Sequence, residues 1–167
     1  ESNRLADLAK NTLMLSKIDS QQLLPSKETF ALDEQIKQCM IILSAKWEAK
    51  QIDFTAQLPE VKYWGNEELL QQVWLNLFSN AIKFTPSGGE IILEVRQTPT
   101  DTSRYVNLEF IVSDTGIGMS EEFMKHMFEP FEQEKQTVRQ YGGTGLGLAI
   151  CQNLVKMMHG TMSVNSL

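Results

Sequence analysis

The segment from Asn66 to Phe84 places the strongest constraint on how this chain can fold. Its spacing predicts a helix that is apolar on most of its circumference, with the apolar positions Leu69, Leu70, Val73, Trp74, Leu77, Phe78, Ala81 and Ile82. Asn66 is expected to cap this helix at its N-terminus. Because such a helix is stable only when it is buried, other elements must cover it. The chain has 167 residues, 42% of them hydrophobic, which is enough for one core of this kind.

Three polar residues interrupt this apolar surface along one line. Asn76, Asn80 and Lys83 are spaced i, i+4 and i+7, so they project from the same side of the helix. Buried amides and ammonium groups need partners, since an unpaired one costs about 1–3 kcal/mol. An amide oxygen suits Mg²⁺ that shares its shell with substrate phosphates, and a lysine one turn further on can contact the same phosphates. The alternative is the solvated edge of an amphipathic helix.

A second motif, Asp114-Thr-Gly-Ile-Gly, follows a predicted strand. A carboxylate at this place can accept a hydrogen bond from an exocyclic amine. Gly116 and Gly118 would let the backbone approach a flat ring closely. The alternative is an ordinary strand-to-helix turn whose Asp and Gly are chosen for their backbone angles.

A third motif, Gly142-Gly-Thr-Gly-Leu-Gly, opens a helix predicted from Gly145 to Met158. Glycines at a helix start leave backbone N–H groups free to face an anion. The pattern GxxxxGK[ST] is missing, and no GxGxxG follows a strand, so neither a P-loop nor a dinucleotide fingerprint is present. The alternative is a flexible loop before a helix.

The remaining pattern predicts an α+β fold, a two-layer sandwich in which helices cover one face of a mixed, mostly antiparallel sheet. The expected elements outside the three motifs are a helix over Glu1–Asp19, a linker over Ser20–Phe30, a helix over Leu32–Lys50, a strand over Ile52–Leu58 with a short partner strand over Val61–Trp64, strands over Glu90–Arg96 and Tyr105–Ser113 joined as a hairpin, and a short helix from Ser120. A strand pattern beginning at Gly160 stops at Leu167, and the first helix has no cap before it. We therefore expect a fragment of a larger protein with its last strand truncated.

Charge and composition restrict the partners. Fifteen Lys and Arg against 21 Asp and Glu give a net charge of −6, which argues against nucleic acid as a partner. Cys39 and Cys151 lie in apolar helical runs and are expected to be reduced, buried thiols. Neither a signal peptide nor an apolar run of the ~20 residues that span a bilayer is present. We expect a cytoplasmic location and no direct membrane contact from this part of the protein.

Taken together, the motifs resemble the ATP-binding catalytic domain of sensor histidine kinases, in the Bergerat-fold (GHKL) ATPase superfamily. The strings at Gln72–Pro86, Asp114–Gly118, Phe128–Phe131 and Gly143–Gly147 match that family's N, G1, F and G2 boxes in order and spacing. The resemblance extends from about residue 30 to the C-terminus. It implies that residues 1–19 end a dimerisation helix, that 20–30 form a linker and that 31–167 form the catalytic domain.

The resemblance implies ATP and Mg²⁺ as cofactors. Asn80 would bind the metal, Lys83 a phosphate and Asp114 the adenine amino group. Gly116 and Gly118 would line the base pocket. The implied triphosphate loop consists of Gly143, Thr144, Gly145, Leu146 and Gly147.

The resemblance also implies a mobile ATP lid over approximately Glu132–Gly142. Phe128 and Phe131 would anchor this lid. Its cations, Lys135 and Arg139, would either reach the γ-phosphate or remain solvated beside neighbouring glutamates.

Position 76 distinguishes subclasses of that superfamily. ATP-hydrolysing relatives have a glutamate there as general base, whereas Asn76, an implied ATP contact here, cannot take a proton at neutral pH. This favours a protein-histidine kinase over an ATPase of the gyrase or chaperone type. A non-catalytic docking module is the third hypothesis, and the intact motifs argue against it.

The implied reaction needs a phosphoacceptor histidine, which we expect to lie outside this sequence. His126 and His159 lack the surroundings of that acceptor and are expected to be structural. The expected partners are the protein's own dimerisation domain and the receiver domain of a response regulator. This part alone is expected to bind Mg-ATP without autophosphorylating.

Overall fold

The computed structural model describes residues 2–20, 26–102, 104–134 and 141–167. Its helices are α1 (Ser2–Asp19), α2 (Leu32–Ile42), α3 (Ser44–Ala49), α4 (Glu67–Phe84), α5 (Glu121–His126) and α6 (Gly147–Met157). Its strands are β1 (Glu28–Ala31), β2 (Asp53–Gln57), β3 (Lys62–Gly65), β4 (Glu90–Pro99) and β5 (Val106–Asp114).

The chain divides into two compact units. The first comprises Glu1–Phe30, Tyr63–Leu77 and Gly118–Leu167, and the second comprises Ala31–Lys62 and Phe78–Ile117. Each is described by itself.

The second unit contains a three-stranded mixed sheet in the order β2-β4-β5. The ladder between β2 and β4 is parallel, with Asp53 opposite Glu90, and the longer ladder between β4 and β5 is antiparallel, with Ile91 opposite Asp114. Asp114 therefore ends β5 at the edge of the sheet where β4 begins. The predicted hairpin is confirmed, and so is the fold class, a mixed α/β fold with a mostly antiparallel sheet.

One face of this sheet is buried, as the two-residue alternation of a strand requires. Phe54, Ile91 and Leu93 lie on that face and are buried. The Phe54 ring packs edge-on against Trp47 of α3 at 6.2 Å and against Phe78 of α4 at 5.3 Å between ring centroids. Helices thus cover one face of the sheet, and the end of α4 lies against it.

The first unit is built around α6 and the beginning of α4. Ile150, Cys151 and Leu154 of α6 are buried. The Cys151 thiol lies 3.8 Å from the Val73 carbonyl oxygen of α4. Helix α1 also contacts α6, which brings the N-terminal helix beside the segment that follows the glycine-rich motif.

The predicted N-terminal cap of α4 is confirmed. Asn66 Oδ1 accepts a hydrogen bond from the Leu69 backbone N–H at 2.7 Å. Its Nδ2 donates to the Ser26 carbonyl at 3.1 Å.

Two predictions about the strands were wrong. A strand, β1, begins at Glu28, within the segment Ser20–Phe30 that was expected to be a linker. Residues 21–25 of that segment lie outside the described part. Strand β3 pairs with β1 and not with the strand before it. Phe30 of β1 supports this pairing by packing edge-on against Tyr63 at 5.7 Å.

The helix expected over Leu32–Lys50 is divided at Leu43, which leaves helical geometry at φ −96° and ψ 2°. The indole N–H of Trp47 donates to the Met40 carbonyl at 3.2 Å, and the Leu43 backbone N–H donates to the same oxygen.

The strand expected from Gly160 is not formed, since residues 159–167 lie in neither helix nor strand. A strand needs a neighbour for its backbone groups. Instead, the Ser166 hydroxyl accepts a hydrogen bond from the Met119 backbone N–H at 2.9 Å. In the described part of the chain, every helix is too short or too polar to cross a bilayer.

Candidate functional site

The end of α4 is held by a lysine from the same unit. Lys50 Nζ donates to the carbonyl oxygens of Ile82 at 2.7 Å and Lys83 at 3.2 Å. An ammonium group at this place satisfies carbonyls that the helix leaves open and complements the negative end of its dipole. The Lys83 ammonium lies 4.9 Å from the centroid of the Phe84 ring. Sequence reasoning missed Lys50, because only the fold brings it to this helix end.

The turn after β5 is attached to the same helix end. The Ile117 backbone N–H donates to the Phe84 carbonyl at 3.2 Å, and the Gly116 N–H donates to Asp114 Oδ1 at 2.8 Å. A side chain on Gly116 would collide with Asp114 Oδ1 and would stand 3.0 Å from the Phe84 oxygen. The structure therefore brings Asp114 and Gly116 to the end of the helix that carries Asn80 and Lys83.

Asp114 is exposed, and its Oδ1 is already used by the turn. Among the described residues, Oδ2 has no hydrogen-bond partner, so it can accept a hydrogen bond from a ligand amine.

Asn76 lies in the first unit beside the Cys151 thiol. Its Nδ2 is buried and makes no hydrogen bond within the described part of the chain. Burial raises the pKa of Cys151 to about 12, and the Asn76 amide acts in the opposite direction by favouring the thiolate. Cys151 is therefore a neutral thiol at physiological pH, and the Asn76 amide lies against its sulfur.

The glycine-rich loop before α6 packs directly on the backbone after α5. The Phe131 N–H donates to the Gly145 carbonyl at 2.9 Å. At Gly145, φ is +71° and an added Cβ would stand 2.7 Å from the Phe131 carbonyl carbon. Both the backbone angle and the close approach require glycine there. Phe131 itself has φ +68° and is 62% exposed, whereas Phe128 is half-buried.

Side chains from two other segments hold this loop. Gln133 Nε2 donates to the Gly143 carbonyl at 2.9 Å, and an Arg4 guanidinium N–H of α1 donates to the same oxygen at 3.4 Å. The Thr144 hydroxyl oxygen accepts from the Asn11 amide of α1 at 3.4 Å. A cleft of about 500 Å³ lies here, lined by Arg4, Leu8, Phe131, Glu132, Gln133, Gly143 and Thr144.

The first turn of α6 follows the loop. Its N-cap, Leu146, is buried and provides no side-chain cap. The Leu146 N–H is bound by the Thr144 hydroxyl at 3.3 Å. The N–H groups after it, from Gly147 onward, stand at the positive end of an eleven-residue helix. This turn can bind an anion.

Several predicted residues stand apart from these contacts. Gly118 has φ +71° and lies near the backbone of Leu167. Lys135 and Arg139 fall outside the described residues. Within the described ranges, no cluster of three His, Cys, Asp or Glu side chains could hold a metal.

The two histidines have local roles. His126 Nδ1 lies 2.8 Å from Glu129 Oε1. This hydrogen bond and the charge of Glu129 raise the pKa of His126, against an opposing effect of burial, and the charges of Glu122 and Glu132 add smaller contributions in the same direction as Glu129. His159 follows α6 with φ +60°, and its backbone N–H donates to the Lys156 carbonyl at 3.0 Å.

Comparison with known proteins shows the family. The sequence model for histidine kinase-, DNA gyrase B- and HSP90-like ATPases matches residues 65–167. The chain belongs to this family. The resemblance to sensor histidine kinases is also confirmed, because curated relatives across nearly the whole chain carry that name.

Hybrid signal transduction histidine kinase A of Dictyostelium discoideum is 34% identical over 99% of this chain and 8% of its own length. Histidine protein kinase DivJ of Caulobacter vibrioides is 31% identical over 97% of this chain and 26% of its own length. The autoinducer 2 sensor kinase/phosphatase LuxQ of Vibrio vulnificus is 44% identical over 58% of this chain. The chain thus spans only a minor part of such relatives.

Solved structures of histidine kinases share the fold. Acinetobacter baumannii histidine kinase AdeS superposes with a TM-score of 0.79 at 21% identity, covering 99% of this chain and 73% of its own. Full-length ShkA in complex with AMPPNP superposes with a TM-score of 0.75 at 26% identity, covering 93% of this chain and 31% of its own.

Proposed function

We propose that this chain binds Mg-ATP and supplies its γ-phosphoryl group to a histidine of a dimerisation domain, for onward transfer to a response-regulator receiver domain. One observation carries the proposal: the uncapped first turn of α6 follows a glycine loop held in a defined shape. In the same unit, the buried Asn76 Nδ2 makes no hydrogen bond that meets normal geometry among the described residues and lies beside the Cys151 thiol. Both features suit a phosphate-bearing ligand, and they occur in a member of an ATP-binding family.

Adenine recognition is assigned to the turn after β5. Asp114 would accept a hydrogen bond from the adenine amino group through Oδ2, since Oδ1 is used by Gly116. The missing side chain at Gly116 would let the base approach the end of α4. Gly118 completes the proposed base contacts.

Phosphate and metal binding are assigned to side chains of α4 and to the glycine loop. Asn80 would provide an oxygen ligand to Mg²⁺, which neutralises phosphate charge when bound. Lys83 would contact a phosphate, and residues 143–147 would contact the phosphates through backbone N–H groups. With a net charge of −6, the chain must attract its ligand through these local groups.

Transfer to a protein side chain is favoured over hydrolysis. Activation of water needs a base, and the side chain at position 76 is an amide. Cys151 cannot serve as a nucleophile in its place, because it is buried and its pKa is about 12. The proposed kinase therefore positions its nucleotide and leaves the acceptor to another domain.

Helix α1 is proposed to belong to the dimerisation domain. Leu5 and Leu13 are exposed on it. With their neighbours they form an open, mostly apolar face of α1. Partner helices of that domain would cover this face.

Calorimetric titration with a non-hydrolysable ATP analogue tests the proposal. Wild type should release heat on binding, more strongly with Mg²⁺ than without. Asp114→Asn should weaken binding at least tenfold, because the acceptor oxygen facing the amine is replaced or reoriented, corresponding to about 1.4 kcal/mol. Asp53→Asn, an exposed aspartate at the start of β2, is the matched control. Absence of heat from wild type with and without Mg²⁺ would leave only a docking module.

A further inference from the structure

Gln133 connects two segments that are ten positions apart in sequence. Its Nε2 donates to the Gly143 carbonyl oxygen at 2.9 Å, in a partly buried environment. Contacts made by its sequence neighbours fix the position of the Gln133 backbone. Phe131 is bound to Gly145 through the backbone, and the Glu134 carboxylate accepts from the Ser120 hydroxyl at 2.9 Å. Gln133 therefore lies between a backbone contact at Phe131 and a side-chain contact at Glu134.

The peptide that it holds has little conformational preference of its own. Gly142 has φ +61° and Gly143 has φ +124°. Glycine reaches such angles without steric cost, so it also leaves them easily. A hydrogen bond to the Gly143 carbonyl selects one orientation of the peptide between Gly143 and Thr144. Because carbonyl and N–H of one peptide unit point in opposite directions, the bond also orients the Thr144 N–H.

We propose that Gln133 is a positioning residue for phosphate binding: by holding the Gly143 carbonyl, it orients the backbone N–H groups that follow toward the nucleotide phosphates. The inference rests on the proposed ATP binding and extends it to a residue that touches no phosphate itself. Arg4 reaches the same oxygen, but at 3.4 Å and from an exposed position, so Gln133 is the stronger tether.

The test compares ligands that share a base and differ in phosphates. Gln133→Met keeps the length of the side chain and removes the donor, and Gln38→Met, at an exposed position on α2, is the control. Titration with Mg-ADP and with adenosine should show a five- to tenfold increase in Kd for Mg-ADP, on the order of one hydrogen bond, and less than a twofold change for adenosine. The unfolding temperature without ligand should stay near that of wild type.

The outcomes separate the two proposals. If wild type binds Mg-ADP and Gln133→Met binds it equally well, the role of Gln133 is refuted and ATP binding stands. Equal losses for Mg-ADP and adenosine would mean a general structural role and would also refute it. If wild type binds neither ligand, both proposals fail. Gln133→Glu provides a second variant, which cannot donate and places a negative charge beside the carbonyl, so its loss for Mg-ADP should exceed that of Gln133→Met.

Discussion

The turn after β5 and the loop before α6 are both glycine motifs, but they are stabilised differently. The turn at Asp114–Ile117 is closed by its own aspartate and by one backbone bond to Phe84, next to strands whose register is fixed. The loop at Gly143–Gly145 is held by side chains from α1 and from the segment after α5. The first is therefore held mainly by backbone contacts to the sheet and helix on which it stands, whereas the second is held largely by side chains of other segments.

The largest expected loss of stability comes from a substitution that disrupts the backbone packing of the loop. Gly145→Ala places a methyl group 2.7 Å from the Phe131 carbonyl carbon at φ +71°, and we expect a loss of about 3 kcal/mol or more in the free energy of unfolding. Urea denaturation measures it. Gly142→Ala is the control, since its φ is also positive but no atom of the described residues lies within 4 Å of the added Cβ, so it should cost only about 1 kcal/mol. Similar losses in both variants would show that close packing does not shape this loop.

A smaller loss of stability is expected when the Lys50 side chain, which binds the end of α4 beside the turn, is replaced. Lys50→Met removes both hydrogen bonds to the end of α4, and we expect a loss of about 2 kcal/mol in the free energy of unfolding. Lys46→Met, on the exposed surface of α3, is the control and should be nearly neutral. If Lys50→Met cost as much as Gly145→Ala, the turn would depend on a distant side chain just as the loop does, and the contrast between them would disappear.

The smallest effect concerns His126, whose pKa is raised mainly by its hydrogen bond to Glu129. A raised pKa in the folded state stabilises the protein below the ordinary pKa of about 6.5. The contribution is lost as pH rises through the folded-state value. The stability difference between wild type and Glu129→Gln should therefore be larger at about pH 5.5 than at about pH 8.5. Glu121→Gln, on the same helix, should show a weaker dependence, and an equal one would argue against the pairing.

Helix α4 could be predicted from the sequence, because its apolar periodicity and its N-cap are local features of the chain. Asn66 and the apolar positions after it act within a few residues, so the start of α4 follows from sequence alone. Strand β1 was missed because Glu28–Ala31 has only four residues and no clear alternation. Its pairing with β3 is a long-range contact that neither segment specifies.

For the candidate site, the sequence indicated which residues to consider, but it did not indicate which residues contact each other. The motifs pointed to Asp114, Gly116 and Gly143–Gly147 through their glycines and their order. Lys50 and Gln133 carry no such signal, because a lysine after a helix and a glutamine before a loop acquire a role only when the fold supplies their carbonyl partners.

The Gly143 carbonyl oxygen has two lone pairs, and Gln133 and Arg4 each donate to it from a different segment. A displacement of α1 that breaks the Arg4 contact can change the free energy of the loop by about one exposed hydrogen bond, roughly 1 kcal/mol or less. If all of this energy were expressed in binding, the affinity of a ligand on the loop would change by at most about fivefold. By thermodynamic reciprocity, a ligand on the loop shifts the position of α1 by the same factor. Through this contact alone, α1 would act as a graded adjustment of nucleotide affinity and not as an on–off switch.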